Sequence, residues 1–157
     1  MMSDIFNTSL ELGVRMVYLL GALYPRGADI HKLAYLDYAV IYSSDFGGPS
    51  SLHTLVPFRG GEFSNKKDAL ESGIFLMLNR SLIDVVIDDD GVNYYIGDNG
   101  PSIISVMNNE YSKKLIERCE WVANRFGGYS EDELRNIFFN ESIIIGSDIS
   151  NLNYLGE

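Results

Sequence analysis

The chain has one cysteine, two histidines and four prolines, and only 12 basic side chains against 22 acidic ones in 157 residues. Each shortage removes a class of function. The lone Cys119 cannot close an internal disulfide, and its place in an apolar helical stripe reads as a buried thiol rather than a nucleophile. His31 and His53 share no metal-type spacing with each other or with the cysteine, so neither a zinc centre nor any other metal or cofactor site is expected. No apolar run approaches the length needed to cross a bilayer. Met1-Met2-Ser3-Asp4 also lacks the basic start and apolar core of a secretion signal, which predicts a cytoplasmic protein without a membrane partner. The formal charge of -10 disfavours a broad, non-specific grip on nucleic acid.

What is present points to one packed domain. Apolar residues make up 46% and aromatics 12%, and no low-complexity tract or internal repeat interrupts them. Asn7, Thr8 or Ser9 can cap a first helix that carries Leu10, Val14, Val17 and Leu20 to about Leu23, where Pro25 and Gly27 end it. Asp29 opens a second helix through Ile30, Leu33, Leu36, Val40 and Ile41. Residues 43–64 then form a long, glycine- and proline-containing loop. Loops of that length inside a compact domain are generally functional, which makes Asp45, His53, Arg59 and Glu62 candidates for an interaction surface.

A third helix is predicted from Lys66 to about Asn79, followed by strands over 82–87 and 92–96 that meet at Asp90-Gly91, a strong hairpin signal. A short helical piece follows Gly100-Pro101. A longer helix from about Asn109 to Phe126 then has Tyr111, Leu115, Cys119, Val122 and Phe126 on one face, and Gly127-Gly128 ends it. Ser130-Glu131-Asp132-Glu133 resembles a capping box for a last helix with Leu134, Ile137 and Phe138. The tail at Ile143-Ile144-Ile145 is either a closing strand or a segment that docks on a partner.

The expected class is therefore mainly α with a small β hairpin (α+β), a winged helix-turn-helix-like domain with additional C-terminal helices. Residues 1–107 would be the winged core and 108–157 a helical extension packed on it. In such a fold the third helix and the hairpin approach DNA, and basic residues usually line them. Here the hairpin tip is Asp88-Asp89-Asp90-Gly91, and the outward face of the third helix is Asp68, Glu71, Ser72, Phe75 and Asn79. A DNA-binding shape thus presents carboxylates, which suits the holding of another protein. Phe75 reads either as a partner anchor or as cover for the long loop folding back. Trp121, beside Lys114 and Arg118, reads as a partner anchor or as a second buried helix contact. Lys66, Lys67, Arg80, Lys113, Lys114 and Arg118 are the local basic concentrations through which any nucleic-acid contact would run, or else solvated charges balancing nearby acids.

No catalytic constellation is visible. Asp45-Phe46-Gly47 spells the kinase metal-binding tripeptide without a phosphate loop or catalytic loop, which makes it coincidence. The three aspartates of the hairpin lack the spaced ligands and closing glutamate of a calcium loop.

Several short blocks occur together in order. They are Phe6-Asn7-Thr8 with Leu10-Glu11-Leu12-Gly13, then Tyr35-Leu36-Asp37-Tyr38, then Gly48-Pro49-Ser50-Ser51-Leu52-His53 with Pro57, Arg59, Gly61 and Glu62. In these the chain resembles the middle component of bacterial ABC-three-component conflict systems, a group that includes Lamassu-type antiphage and antiplasmid defence. Thr54 departs from the proline expected after the histidine. The resemblance implies a small, non-enzymatic adaptor without a cofactor. Its partners would be an SMC/Rad50-like ABC ATPase and an effector, typically a nuclease, with DNA met only through the complex. The alternative from the residues is a winged-helix DNA-binding transcriptional regulator.

Overall fold

A computed structural model describes residues 8–50 and 67–140. His53, Arg59, Glu62, Lys66 and the tail from 141 onward lie outside the described residues. The elements in chain order are α1 (Ser9–Leu23), α2 (Ile30–Ile41), a 3-10 turn (Ser43–Phe46), α3 (Lys67–Leu78), β1 (Ile83–Asp88), β2 (Gly91–Ile96), α4 (Gly100–Val106), α5 (Glu110–Phe126) and α6 (Glu131–Asn140). The fold is α+β, mostly helical, with one two-stranded antiparallel hairpin among the described residues.

Local chemistry sets most helix starts. Thr8 Oγ1 accepts from the Glu11 amide at 3.2 Å, an Asp29 carboxylate oxygen from Lys32 at 2.8 Å, and the Asn109 side chain from Ser112 at 2.8 Å. Each bond satisfies one of the orphan amides of a first helical turn. At α6 the Ser130 hydroxyl accepts from the Glu133 amide while Glu133 accepts from the Ser130 amide, a complete capping box. The Lys32 ammonium closes the other end of α5 by donating to the Gly127 carbonyl at 2.8 Å.

Helix α1 is the axis of the molecule: α3, α5, α4 and β2 all pack against it. This changes the expected stripe. Leu10 is 60% exposed and Val14 only half-buried, whereas Leu12, Met16, Val17, Tyr18, Leu19, Leu20 and Leu23 are all buried. A helix enclosed on several sides has no single apolar face, so its 3.6-residue period carries little information. Where α1 crosses α3 the backbones touch. A Cβ on Gly73 would lie 2.4 Å from the Ser9 carbonyl oxygen, and one on Gly13 would lie 2.6 Å from that of Gly73.

Arg15 on α1 and Asp37 on α2 are both fully buried. They pair through two bonds, Nε to Oδ1 at 2.9 Å and Nη2 to Oδ2 at 3.0 Å. Burial works against the Arg15 charge, but the Asp37 carboxylate outweighs it and holds the guanidinium above its ordinary value. The same environment pushes the phenol of Tyr111 up to about 12, chiefly through burial. Cys119 is fully buried and its thiol is raised for the same reason, which leaves it inert at neutral pH.

The same core extends through aromatic contacts that join the carboxyl-terminal helices to α2. Phe46 from the 3-10 turn packs against Phe138 at 4.7 Å and Phe126 at 5.5 Å between ring centroids, and Tyr35 meets Phe138 edge-on at 5.0 Å. Offset and edge-on aromatic pairs of this kind are each worth about 1 kcal/mol beyond burial. Phe46 of the Asp45-Phe46-Gly47 triplet therefore serves packing.

Candidate interaction surface

The hairpin is fixed at its base and exposed at its tip. Ile83 pairs with Ile96 in register, and Ile83 is buried against the core. A backbone bridge ties the outer side of β2 to the segment between α1 and α2: the Ala28 amide donates to the Tyr94 carbonyl at 2.9 Å and the Tyr94 amide to Ala28 at 2.8 Å. Nothing in the Pro25-Arg26-Gly27 spelling announced that bridge. Past the base, every residue of β1 is exposed, Ile87 by 74%. The turn is Asp89-Asp90, with the Asp88 carboxylate accepting from the Asp90 amide at 2.8 Å. Gly91 opens β2 at φ 108°, a backbone region that favours glycine.

Antiparallel register sorts the strand side chains. Val85 and Ile87 share one face with their partners Tyr94 and Val92, while Asp84, Val86 and Asp88 share the other with Tyr95, Asn93 and Gly91. The consecutive run Val85-Val86-Ile87 would ordinarily mark a buried strand. Here it stands in solvent.

On α3 the buried set is Leu70, Gly73, Ile74 and Met77, and Asp68, Glu71, Ser72, Phe75 and Asn79 all face outward as expected. Phe75 is 63% exposed and borders a shallow depression with Ser9, Glu71, Ser72 and Leu76. Leu10 is a second exposed apolar side chain, on α1 next to Ser9.

Other sequence candidates gather elsewhere, around the stem of the long loop. The Ser43 hydroxyl donates to the Pro49 carbonyl at 2.7 Å, and Arg118 Nε donates to that of Ser50 at 3.1 Å. Trp121 is half-buried against Gly48, so close that a Cβ there would lie 2.4 Å from its ring, and it meets Phe126 edge-on at 6.0 Å. Asp45 lies in the same stem, half-buried within the 3-10 turn.

Arg118 therefore does not belong with the surface basic residues. It is 8% exposed, pairs with the adjacent Glu117, and is spent on the Ser50 carbonyl rather than offered to phosphate. The i, i+3 and i+4 spacing from Leu115 and Val122 was the available signal that it faces inward. Lys67, Lys113 and Lys114 are exposed, as is Arg80, whose guanidinium donates to the Leu76 carbonyl at 3.0 Å near the end of α3. Lys67 and Arg80 bracket α3, and Lys113 and Lys114 lie on α5.

A cleft of about 540 Å³ opens between α1, the β2-α4 junction and α5. Tyr18, Ile96, Ile104 and Ile116 line it, with Asp98 and Glu120 as its acidic members. Among the described residues there is no group of three or more histidine, cysteine, aspartate or glutamate side chains placed to hold a metal ion. No helix among them is long and apolar enough to cross a membrane.

No curated protein and no solved structure matches the chain. The sequence model of the family described as "ABC-three component (ABC-3C) system Middle Component 2" matches residues 5–146. That span includes every block on which the resemblance rested, along with the hairpin and the six α-helices of the described residues. The chain belongs to the Middle Component 2 family of ABC-three component systems.

Proposed function

We propose that this chain is the non-catalytic adaptor of its system. It joins an SMC/Rad50-like ABC ATPase to an effector, typically a nuclease, in a cytoplasmic antiviral or antiplasmid complex of the Lamassu type. The observation that carries this reading is the hairpin, an anchored projection that keeps apolar side chains in water and ends in carboxylates. Exposed apolar surface of this kind marks a protein-binding site, and the charge turns away polyanions.

The fold is read as a winged helix put to protein binding. Support comes from the order α1, Ala28 bridge, α2, α3, hairpin, in which the bridge supplies the short strand that flanks a wing. The competing reading, a DNA-binding regulator, has to work with Lys67 and Arg80 beside an α3 face of Asp68, Glu71 and Phe75. It has also lost Arg118 to the interior.

The test is co-expression with the neighbouring genes of its operon, followed by affinity purification and size exclusion at moderate salt. The adaptor co-elutes with both the ATPase and the effector, and the isolated subunit gives no mobility shift with duplex DNA at low salt. Elution of the subunit alone would overturn the adaptor reading. Salt-sensitive duplex binding that is lost on reversing Lys67 and Arg80 would install the regulator in its place.

A further inference from the structure

Among the described residues the outer edge of β1 is open: β1 pairs only with β2, and the bridge to Ala28 occupies the opposite side of the hairpin. Natural proteins blunt such edges with charged side chains, lysine above all, or with proline, a bulge or a covering segment, because a free row of backbone donors and acceptors templates another strand. β1 has neither lysine nor proline, and its six residues pair with β2 one to one without a bulge. Five of the six are exposed, three of them the apolar Val85, Val86 and Ile87.

The charge around this edge selects among occupants. Residues 81–112 contain no lysine, arginine or histidine and six acids, Asp84, Asp88, Asp89, Asp90, Asp98 and Glu110. A second copy of the chain pairing edge to edge would set Asp84, Asp88, Asp89 and Asp90 against the same four residues, and like charges across a strand pair are destabilising. A basic segment meets the opposite condition.

We propose that β1 accepts an extended segment, rich in lysine or arginine and alternating with apolar residues, from a partner subunit, which adds to the hairpin as a third strand. Backbone hydrogen bonds supply affinity. Val85 and Ile87 on one face and Asp84 and Asp88 on the other supply register and charge selection. The proposal rests on the adaptor reading and names the chemistry of one of its contacts.

Two arms test it separately from that reading. In the first, amide hydrogen exchange of the full chain is compared between the free subunit and the purified complex. The amides of Val85 and Ile87, which the register turns to the outer edge, slow by about tenfold or more on assembly. The double variant Asp84→Lys/Asp89→Lys, at two exposed positions, weakens one partner's retention by about tenfold or more while the melting temperature is kept. A complex that forms with β1 exchange unchanged, or with the double variant bound normally, overturns strand addition and leaves the adaptor role intact.

In the second arm the free full-length subunit is titrated with an alternating lysine-valine peptide of about eight residues. Controls are its glutamate-valine counterpart and a form N-methylated on alternate amides. Binding of the first alone, with protection at β1, supports the proposal even if no stable complex is recovered. Equal binding of all three, protection confined to β2, or self-association of the subunit through β1 overturns it.

Discussion

Gly73→Ala places the structure under its sharpest test, because two known effects oppose each other and the geometry decides between them. In an exposed helix interior, replacing glycine by alanine stabilises by about 1 kcal/mol through the unfolded chain's lost freedom. At Gly73 the new methyl would lie 2.4 Å from the Ser9 carbonyl oxygen and 2.7 Å from the Gly13 nitrogen, where ordinary contact begins near 3.4 Å. Both obstacles are backbone, so no side chain can swing aside, and α1 and α3 must separate along their crossing. Overpacking of that kind costs about 3 kcal/mol, at the upper end of the usual range. The net loss is then about 2 kcal/mol, or about 4 to 8 °C in melting temperature for a chain of this size. Gly21→Ala is the matched control: its Cβ would meet side-chain ends alone, the Ile104 Cδ1 at 2.7 Å and the Ile96 Cδ1 at 3.8 Å, so it melts within about 2 °C of the parent. Urea unfolding of both variants measures the difference. If Gly73→Ala matched the parent, the close crossing of α1 and α3 would be wrong; if Gly21→Ala fell as far, the difference between backbone and side-chain obstacles would not be what decides the cost.

Three further substitutions follow from other contacts. Asp37→Ala removes the carboxylate paired with the buried Arg15 and lowers stability by about 3 to 5 kcal/mol, whereas Arg15→Met with Asp37→Leu stays within about 1 kcal/mol of the parent. Equal losses in urea titrations of the two would refute the pairing as the cause. Glu11 is held above the ordinary carboxylate range chiefly by burial, with Arg15 opposing and Asp37 adding to the shift. The folded state keeps that proton longer than the unfolded one, so its contribution is complete below about pH 4.3 and is lost as pH rises through the folded value. Glu11→Gln therefore gains stability over the parent as pH rises from 3.5 to 6, and a melting difference that is constant or shrinks with pH would contradict the assignment. Ser81, just past the end of α3, takes φ 58°, in the left-handed region, so Ser81→Gly raises stability by about 1 kcal/mol in the same urea titration. A loss there would mean that its side chain contributes more than the backbone costs.

Features written in neighbouring residues were legible in the sequence. Asp29, Asn109 and the Ser130-Glu133 box each cap the helix they announced, and the hairpin falls within one residue of its expected strands. The outward face of α3 is likewise as read, because its 3.6-residue period is imposed by one neighbour on one side. What escaped was nonlocal. The Arg15-Asp37 pair spans 22 residues and the Gly13-Gly73 contact spans two helices, and neither side of either contact carries a signal of the other. Arg118 was assigned to the surface by residue type, although its spacing within α5 placed it inward. The hairpin's acidic tip was legible, but not the exposure of Val85, Val86 and Ile87, since an apolar run carries no information on whether its cover belongs to the same chain.

The contrast between anchor and tip bears on how the hairpin would bind. Its base is held by the Ile83-Ile96 pair, by the bridge at Ala28, and at Gly97, where a Cβ would lie 2.4 Å from the Ser81 carbonyl oxygen. The projecting strands are thus aimed before any partner arrives, and the ordering that a free hairpin would require is already complete. Helix α1 carries both this anchor and the α3 face with Phe75, since β2 and α3 pack on the same helix. A substitution that shifts α1 against α3 should therefore disturb two exposed surfaces together, while one at the hairpin tip disturbs a single surface. Loss of both partners from a Gly73→Ala complex, against loss of one from an Asp84→Lys/Asp89→Lys complex, is the pattern that a shared platform with separate docking faces requires.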